Sequence, residues 1–358
     1  MTRRDPASEV PDLGDGFWER VAAATRGLQS AGMSLWNGRL NYVGDGVPVD
    51  GSADGRGTVR LSRSAVVEPL TRMFAEGPGS LRESVFAARC WIAAQTAVHE
   101  FSHLTAPGGW TAAQRSRDLW RADLEPIEEA FTEAYSRTVT PEVIDRVLAP
   151  DLARGLASVP RDHPDLLQPA YPGWTAAAMS FANDVSAETG LSRGEVLRVA
   201  AREPDSRKAA ALATLLYAHS RLPGAVPELV RSRVKQTISD AINDGFAQLG
   251  PLEWNQSTVP WTRGSEIADT ALNVIRAAER QYAEPVDLPR AVASRGRRHA
   301  GFDAADLAIG HAALNGMAHA AAAPLVPKDQ ASQVRQRDGA STWRDDRRSS
   351  PGGRSSPR

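Results

Sequence analysis

Between Val85 and His103 the chain reads VFAARCWIAAQTAVHEFSH, an apolar run that ends on two histidines and a glutamate. Nothing else in the sequence restricts the fold as much. Ala, Val, Ile, Phe and Trp fill the body of a helix expected over Leu81–Leu104, and Ala106-Pro-Gly-Gly109 stops it. Ser80 and Glu83 have the spacing of a capping box at its start. Imidazole and carboxylate groups in such surroundings are costly unless they find partners, so the fold has to bring polar groups to His99, Glu100 and His103. Helix positions four apart differ by about 40° around the axis, which points His99 and His103 the same way, one turn apart. Two imidazoles so placed reach a single tetrahedral Zn²⁺ at about 2.0–2.1 Å. Glu100, about 100° round from His99, can contact a water on that ion without displacing a ligand. This is the mechanical content of the H-E-x-x-H pattern.

The rest of the composition narrows the setting. A chain of 358 residues with 42% hydrophobic content is long enough for one large domain or two smaller ones. A formal net charge of -1 argues against nucleic acid as the main partner. Lysine occurs only at Lys208, Lys235 and Lys328, which reads as GC-rich codon usage and not as a binding surface. Cys90 is the only cysteine, so an intramolecular disulfide is excluded and a reducing compartment fits. The opening MTRRDPASEVPDLGDG has no apolar core of a secretory signal, and no run approaches the ~18 apolar residues of a membrane span. A cytoplasmic protein is expected, with signal-independent export left open and no membrane partner.

Along the chain, residues 1–14 form a flexible N-terminus and a short amphipathic helix spans Gly16–Ser30. The Gly/Asp-rich stretch that follows reads as a loop, and the alternation Thr58-Val-Arg-Leu61 as the one convincing strand. Pro126 suits the first turn of a second helix, which runs through IEEAFTEAYSRTV to Thr140 and is interrupted at Pro141. From Pro172 to Pro324 the pattern is helical, broken at EPDS, RLPGAVP, LGPLEWNQSTVPW and AEPVDLP. Residues 326–358, rich in Arg, Ser, Asp, Gly and Pro, are expected to be disordered. The expected class is α+β and predominantly helical: a catalytic domain over 15–150 and a helical C-terminal part over 151–325 that closes one wall of its cleft.

A catalytic zinc needs a third protein ligand and an open position. Ala106 and Gly109 stand where the H-E-x-x-H-x-x-G-x-x-H extension requires Gly and His, which excludes the metzincin solution. The Pro126 helix offers Glu128, Glu129 and Glu133 instead. HEFSH followed by EEAFTEAYSR resembles the gluzincin metallopeptidases, over about Thr58–Thr140. That resemblance implies a zincin-like domain in which the upstream strand GTVRLSR is the sheet edge above the metal, and a zinc-dependent peptidase acting on a peptide or protein substrate. It assigns the third ligand to Glu129 and the general base to Glu100. Glu133 becomes the acidic group that orients a ligand histidine, and Glu128 a solvated helix-face charge. The 25 residues between His103 and Glu129 are more than in the thermolysin-like and aminopeptidase-like members, which keeps Glu128 and Glu133 as alternative ligands.

A donor to the developing oxyanion is usually required besides the metal; Tyr217 and His219 are the leading residues for it, with His163 and Tyr171 behind them. Cys90 falls on the face opposite His99 and reads as a small core hydrophobe. His311 and His319, eight apart on an Ala-rich stretch without an acidic partner, read as structural. Trp110, Trp120, Trp254 and Trp261 read as core and interface aromatics. Arg193, Arg198 and Arg202 give Ser192–Glu203 the look of a nucleic-acid-reading helix, but in a chain of net charge -1 a solvated amphipathic face is the better explanation. Two rival functions follow: a non-catalytic helical protein braced by a structural zinc, and a DNA-associated regulator carrying a metallopeptidase domain.

Overall fold

The computed structural model describes residues 13–44, 50–108, 111, 113 and 121–282. Residues 1–12, the segment holding Trp110 and Trp120, His311, His319 and the 326–358 tail lie outside the described residues.

The HEFSH helix is the axle of the fold. It is α3, Ser84–His103, and its buried residues, from Phe86 to His103, lie on every face. Four of them, Ala87, Ala88, Ala93 and Ala97, let neighbours approach closely. Those neighbours are α1 (Asp15–Gln29), α2 (Glu68–Glu76), α4 (Glu125–Val147), α5 (Pro150–Ala157) and a small sheet. The expected capping box does not form. A tight turn over Pro78–Arg82 precedes the helix, and the Ser80 hydroxyl donates to Gly77 O at 2.8 Å. The short polar side chain finds a local carbonyl first, the usual competition at such positions. A capping box does form at Ser192, whose hydroxyl accepts from Glu195 N while Glu195 accepts from Ser192 N at 2.8 Å.

The Gly/Asp-rich stretch expected as loop holds short strands. β1 (Met33–Ser34) pairs antiparallel with β5 (Thr105–Ala106), just beyond α3. β2 (Leu40–Val43), β4 (Val59–Ser62) and β3 (Gly51–Ala53) make a second sheet in the order β2-β4-β3. β4, the strand read from sequence, is central, parallel to β2 and antiparallel to β3. Its Val59 and Leu61 are buried on the core face. The edge strand β3 packs on α3.

α4 runs to Val147 through Pro141 without a break. An interior proline removes one backbone bond and costs ~3 kcal/mol in isolation; burial of Val139, Thr140, Val143 and Ile144 around it holds the helix together. Beyond it come α6 (Pro172–Thr189), α7 (Arg193–Ala201), α8 (Lys208–Ala218), α9 (Glu228–Ala247) and α10 (Val259–Tyr282). Helices on both sides of residue 150 share one core. Phe131 of α4 lies 5.8 Å from Phe181 of α6 and 5.2 Å from Phe246 of α9, ring centre to ring centre. The α7 helix packs on α4 through Val196, Leu197, Ala200 and Ala201, while Arg193, Arg198 and Arg202 are half-buried on its other, amphipathic side. No described helix is long and apolar enough to cross a membrane.

The α6–α10 contact is the tightest between helices. A Cβ at Gly264 would stand 2.1 Å from Ala177 O, a backbone atom that cannot step aside. Gly264→Ala is therefore expected to destabilise the fold, by about 1–3 kcal/mol for overpacking in spite of alanine's better helix propensity. A denaturant titration checks this, and an unchanged midpoint would show that the two helices slide apart freely.

Candidate metal centre

α3 and α4 lie side by side, and their facing polar residues meet at one point. The imidazole rings of His99 and His103 are 4.6 Å apart and nearly perpendicular, as expected for one turn of helix. Their Nε2 atoms are 2.9 Å apart. Oε2 of Glu129, from α4, lies 3.1 Å from His99 Nε2 and 3.5 Å from His103 Nε2. Three atoms bound to one tetrahedral ion at about 2.0–2.1 Å would be separated by about 3.3 Å. The observed triangle is therefore close to one face of that tetrahedron, and the donor set of two nitrogens and one oxygen suits a metal ion.

The outer nitrogens of both rings face carboxylates. His99 Nδ1 lies 2.9 Å from Glu133 Oε2, and His103 Nδ1 lies 2.6 Å from Glu128 Oε1. The His103 Nδ1–H directed at Glu128 leaves its Nε2 lone pair free to bind a cation and fixes that ring's orientation; the His99–Glu133 approach has ion-pair distance without hydrogen-bond alignment. Glu133 is itself held by Gln95 Nε2 at 2.8 Å, by Ala170 N–H at 3.2 Å and by Arg137 at 3.7 Å. Glu128 is held by Lys208 Nζ at 3.1 Å.

Glu100 is buried beside the triangle. A Cβ at Gly51 of β3 would come within 2.8 Å of its Cγ and Oε1, so the strand backbone lies directly on this carboxylate. The strand expected above the metal, GTVRLSR, is instead β4 at the centre of its sheet; the edge strand that lies on Glu100 is β3.

The electrostatics follow from four buried or half-buried carboxylates around two imidazoles. Burial opposes a charge on His99, but a hydrogen bond to Glu129, the Glu133 carboxylate 2.9 Å away and the charge of Glu100 hold its pKa well above the usual histidine value. His103 is also opposed by burial and is raised to about 9 by Glu129 and Glu128. Glu129 and Glu133 are opposed by burial yet kept below the usual carboxylate range, Glu129 by both histidines and Glu133 by His99 and Arg137. Glu100 goes the other way, because burial dominates and raises it. Among the described residues, Lys208 pairs with Glu128 and Arg137 with Glu133.

Two expectations change. Glu128 is not a solvated helix-face charge: it is 4% exposed and bridges His103 to Lys208, because α4 is covered by α7 and α8 as well as by α3. Tyr217 and His219 are engaged elsewhere than at the triangle. The Tyr217 hydroxyl donates to Leu222 O at 3.3 Å, and His219 is exposed at the end of α8. Tyr171 instead stands against the site, its ring 6.3 Å from that of His99 and stacked on Trp174 at 5.3 Å. Cys90 is buried, and its desolvated thiol is pushed up to about 12. Lys208 was not anticipated; its signal was a lone lysine at the head of the apolar run KAAALATLLYA.

Compared with protein-family models, curated proteins and solved structures, the chain finds no significant match.

Proposed function

We propose that this chain is a zinc-dependent peptidase of gluzincin type acting on a peptide or protein substrate in the cytoplasm. One observation carries the reading: the metal-ligand triangle of His99, His103 and Glu129 has the Glu100 carboxylate beside it. A purely structural site has no use for that extra acid.

Zinc bound there would supply Lewis acidity to the scissile carbonyl and to the attacking water. The residues do the rest. His99, His103 and Glu129 hold the ion, and Glu133 and Glu128 orient the two rings. Glu100 takes a proton from the attacking water and delivers it to the leaving amine. The β3 backbone at Gly51 confines the Glu100 side chain, so that the base stays on one side of the triangle. Tyr171, whose ring lies 6.3 Å from that of His99, is the donor to the developing oxyanion in this reading.

The test is elemental analysis of the purified wild type beside His99→Ala and Glu129→Ala. About one zinc per chain is expected in the wild type, as in sites of this ligand set, and a large loss in both variants. A folded wild type without zinc after reconstitution would make HEFSH a chance pattern and remove the peptidase reading.

A further inference from the structure

Lys208 is the first residue of α8 and is 1% exposed. Its position is unfavourable twice over. A cation at a helix N-terminus opposes the helix dipole, and a buried charge loses its hydration. Two acceptors offset this. Nζ donates to Ala200 O at 3.2 Å, near the C-terminal, negative end of α7, and it lies 3.1 Å from Glu128 Oε2. The other oxygen of the same carboxylate lies 2.6 Å from His103 Nδ1 and accepts from the Thr132 hydroxyl at 3.4 Å. An unbroken chain of contacts thus runs from α8 through α4 to the outer nitrogen of a ligand ring on α3.

We propose that Lys208 is a positioning residue of the metal centre, acting through Glu128 to hold the His103 ring with its Nε2 toward the ion. The inference rests on the reading that His99, His103 and Glu129 bind a metal. It gives the downstream helices a part in the site itself. The two ligand histidines are then supported in parallel, His99 by Glu133 with Arg137, and His103 by Glu128 with Lys208. The supports differ in origin. Arg137 sits one turn from Glu133 on the same helix, whereas Lys208 comes from a different helix 80 residues further along the chain than Glu128. Displacing α8 would therefore loosen His103 and leave His99 untouched.

A buried ion pair adds little to stability compared with apolar residues of similar volume, so stability alone does not measure what this one does. The decisive readout is metal affinity, obtained by competing zinc against a chromophoric chelator. Lys208→Met removes the charge while keeping the length, and Glu128→Gln keeps the shape while weakening the acceptor. Each is expected to weaken zinc binding by about 10–100-fold, the usual effect of removing support behind a ligand histidine. The double variant should bind about as well as the worse single one, because both act along one chain of contacts. In Co²⁺-substituted protein the visible absorption should change in both variants, reporting altered geometry at His103.

If Lys208→Met does not fold, the isosteric Glu128→Gln and the double variant, which buries no unpaired charge, carry the same test. Wild-type zinc affinity and an unaltered Co²⁺ spectrum in the variants, with only a lowered Tm, would make Lys208 a structural tether of α7 and overturn the proposal alone. A wild type that binds neither metal would overturn the metal reading, and this inference with it.

Discussion

Glu100→Gln is expected to keep one zinc per chain and to lose about 10²–10⁴-fold in kcat/KM, the usual contribution of a positioned general base. The reasoning depends on what the substitution leaves intact. Glutamine has the shape of glutamate, so it fits beneath Gly51, where a larger group would meet the strand backbone. Glu100 is not one of the three atoms of the triangle, so the metal should stay. What disappears is the ability to accept a proton. A fluorescently labelled unfolded protein serves as probe, with products read by mass spectrometry so that any cleavage preference is recorded. Cleavage at the wild-type rate would exclude Glu100 as the base. Loss of zinc together with activity would show that it supports the ion instead, and would favour a structural metal.

The parts of this site that could be read in the sequence are those set by a single helix. The phase of His99, Glu100 and His103 follows from the helical repeat and needs no tertiary information. Glu129 and Glu133 also sit on one strongly helical run, although choosing Glu129 as a ligand took a resemblance as well as spacing. The side chains that support the ligands depend on which helices cover which faces, and this is not local. Glu128 reads as solvated from spacing alone, and it is buried because α7 and α8 cover α4 beside α3. Lys208 could not be connected to His103 without knowing that the start of α8 meets the start of α4. Tyr171 reaches His99 because Glu133 pins the neighbouring Ala170 N–H, a link that no spacing reveals.

The fold divides in the same way. Long apolar helices were recognisable, whereas strands of two to four residues such as β1 and β3 are too short for alternation to register. β2 and β4 also pair in parallel across an intervening segment, which is a tertiary fact. Pro141 marked a break that packing overrides. Ser80 and Ser192 both carry the capping-box spacing, but only Ser192 has an extended backbone at the cap and a helix starting at the next residue.

Removing the metal with a chelator is expected to lower the Tm by about 10 °C. At a free zinc concentration a thousandfold above Kd, binding contributes about 4 kcal/mol to the folded state, and each kcal/mol moves the midpoint of a domain this large by about 2–4 °C. The protein should nevertheless remain folded after chelation, because protons on the imidazoles can replace part of the lost charge. Both are held above the ordinary histidine pKa, His103 at about 9. The sign of the pH dependence follows. A histidine whose pKa is raised on folding gives its full stabilisation below its unfolded pKa of ~6.5 and loses it as the pH rises through the folded value. The chelated protein should therefore lose stability between about pH 6.5 and 9, while zinc binding, which needs neutral imidazole, strengthens over the same range. The gap in Tm between the zinc-loaded and chelated protein should widen with pH, as measured by calorimetry at each pH. Glu100→Gln should retain a chelator-dependent gap and His99→Ala should lose most of it. A gap independent of pH, or equal in His99→Ala, would place the stabilising ion somewhere other than at His99 and His103.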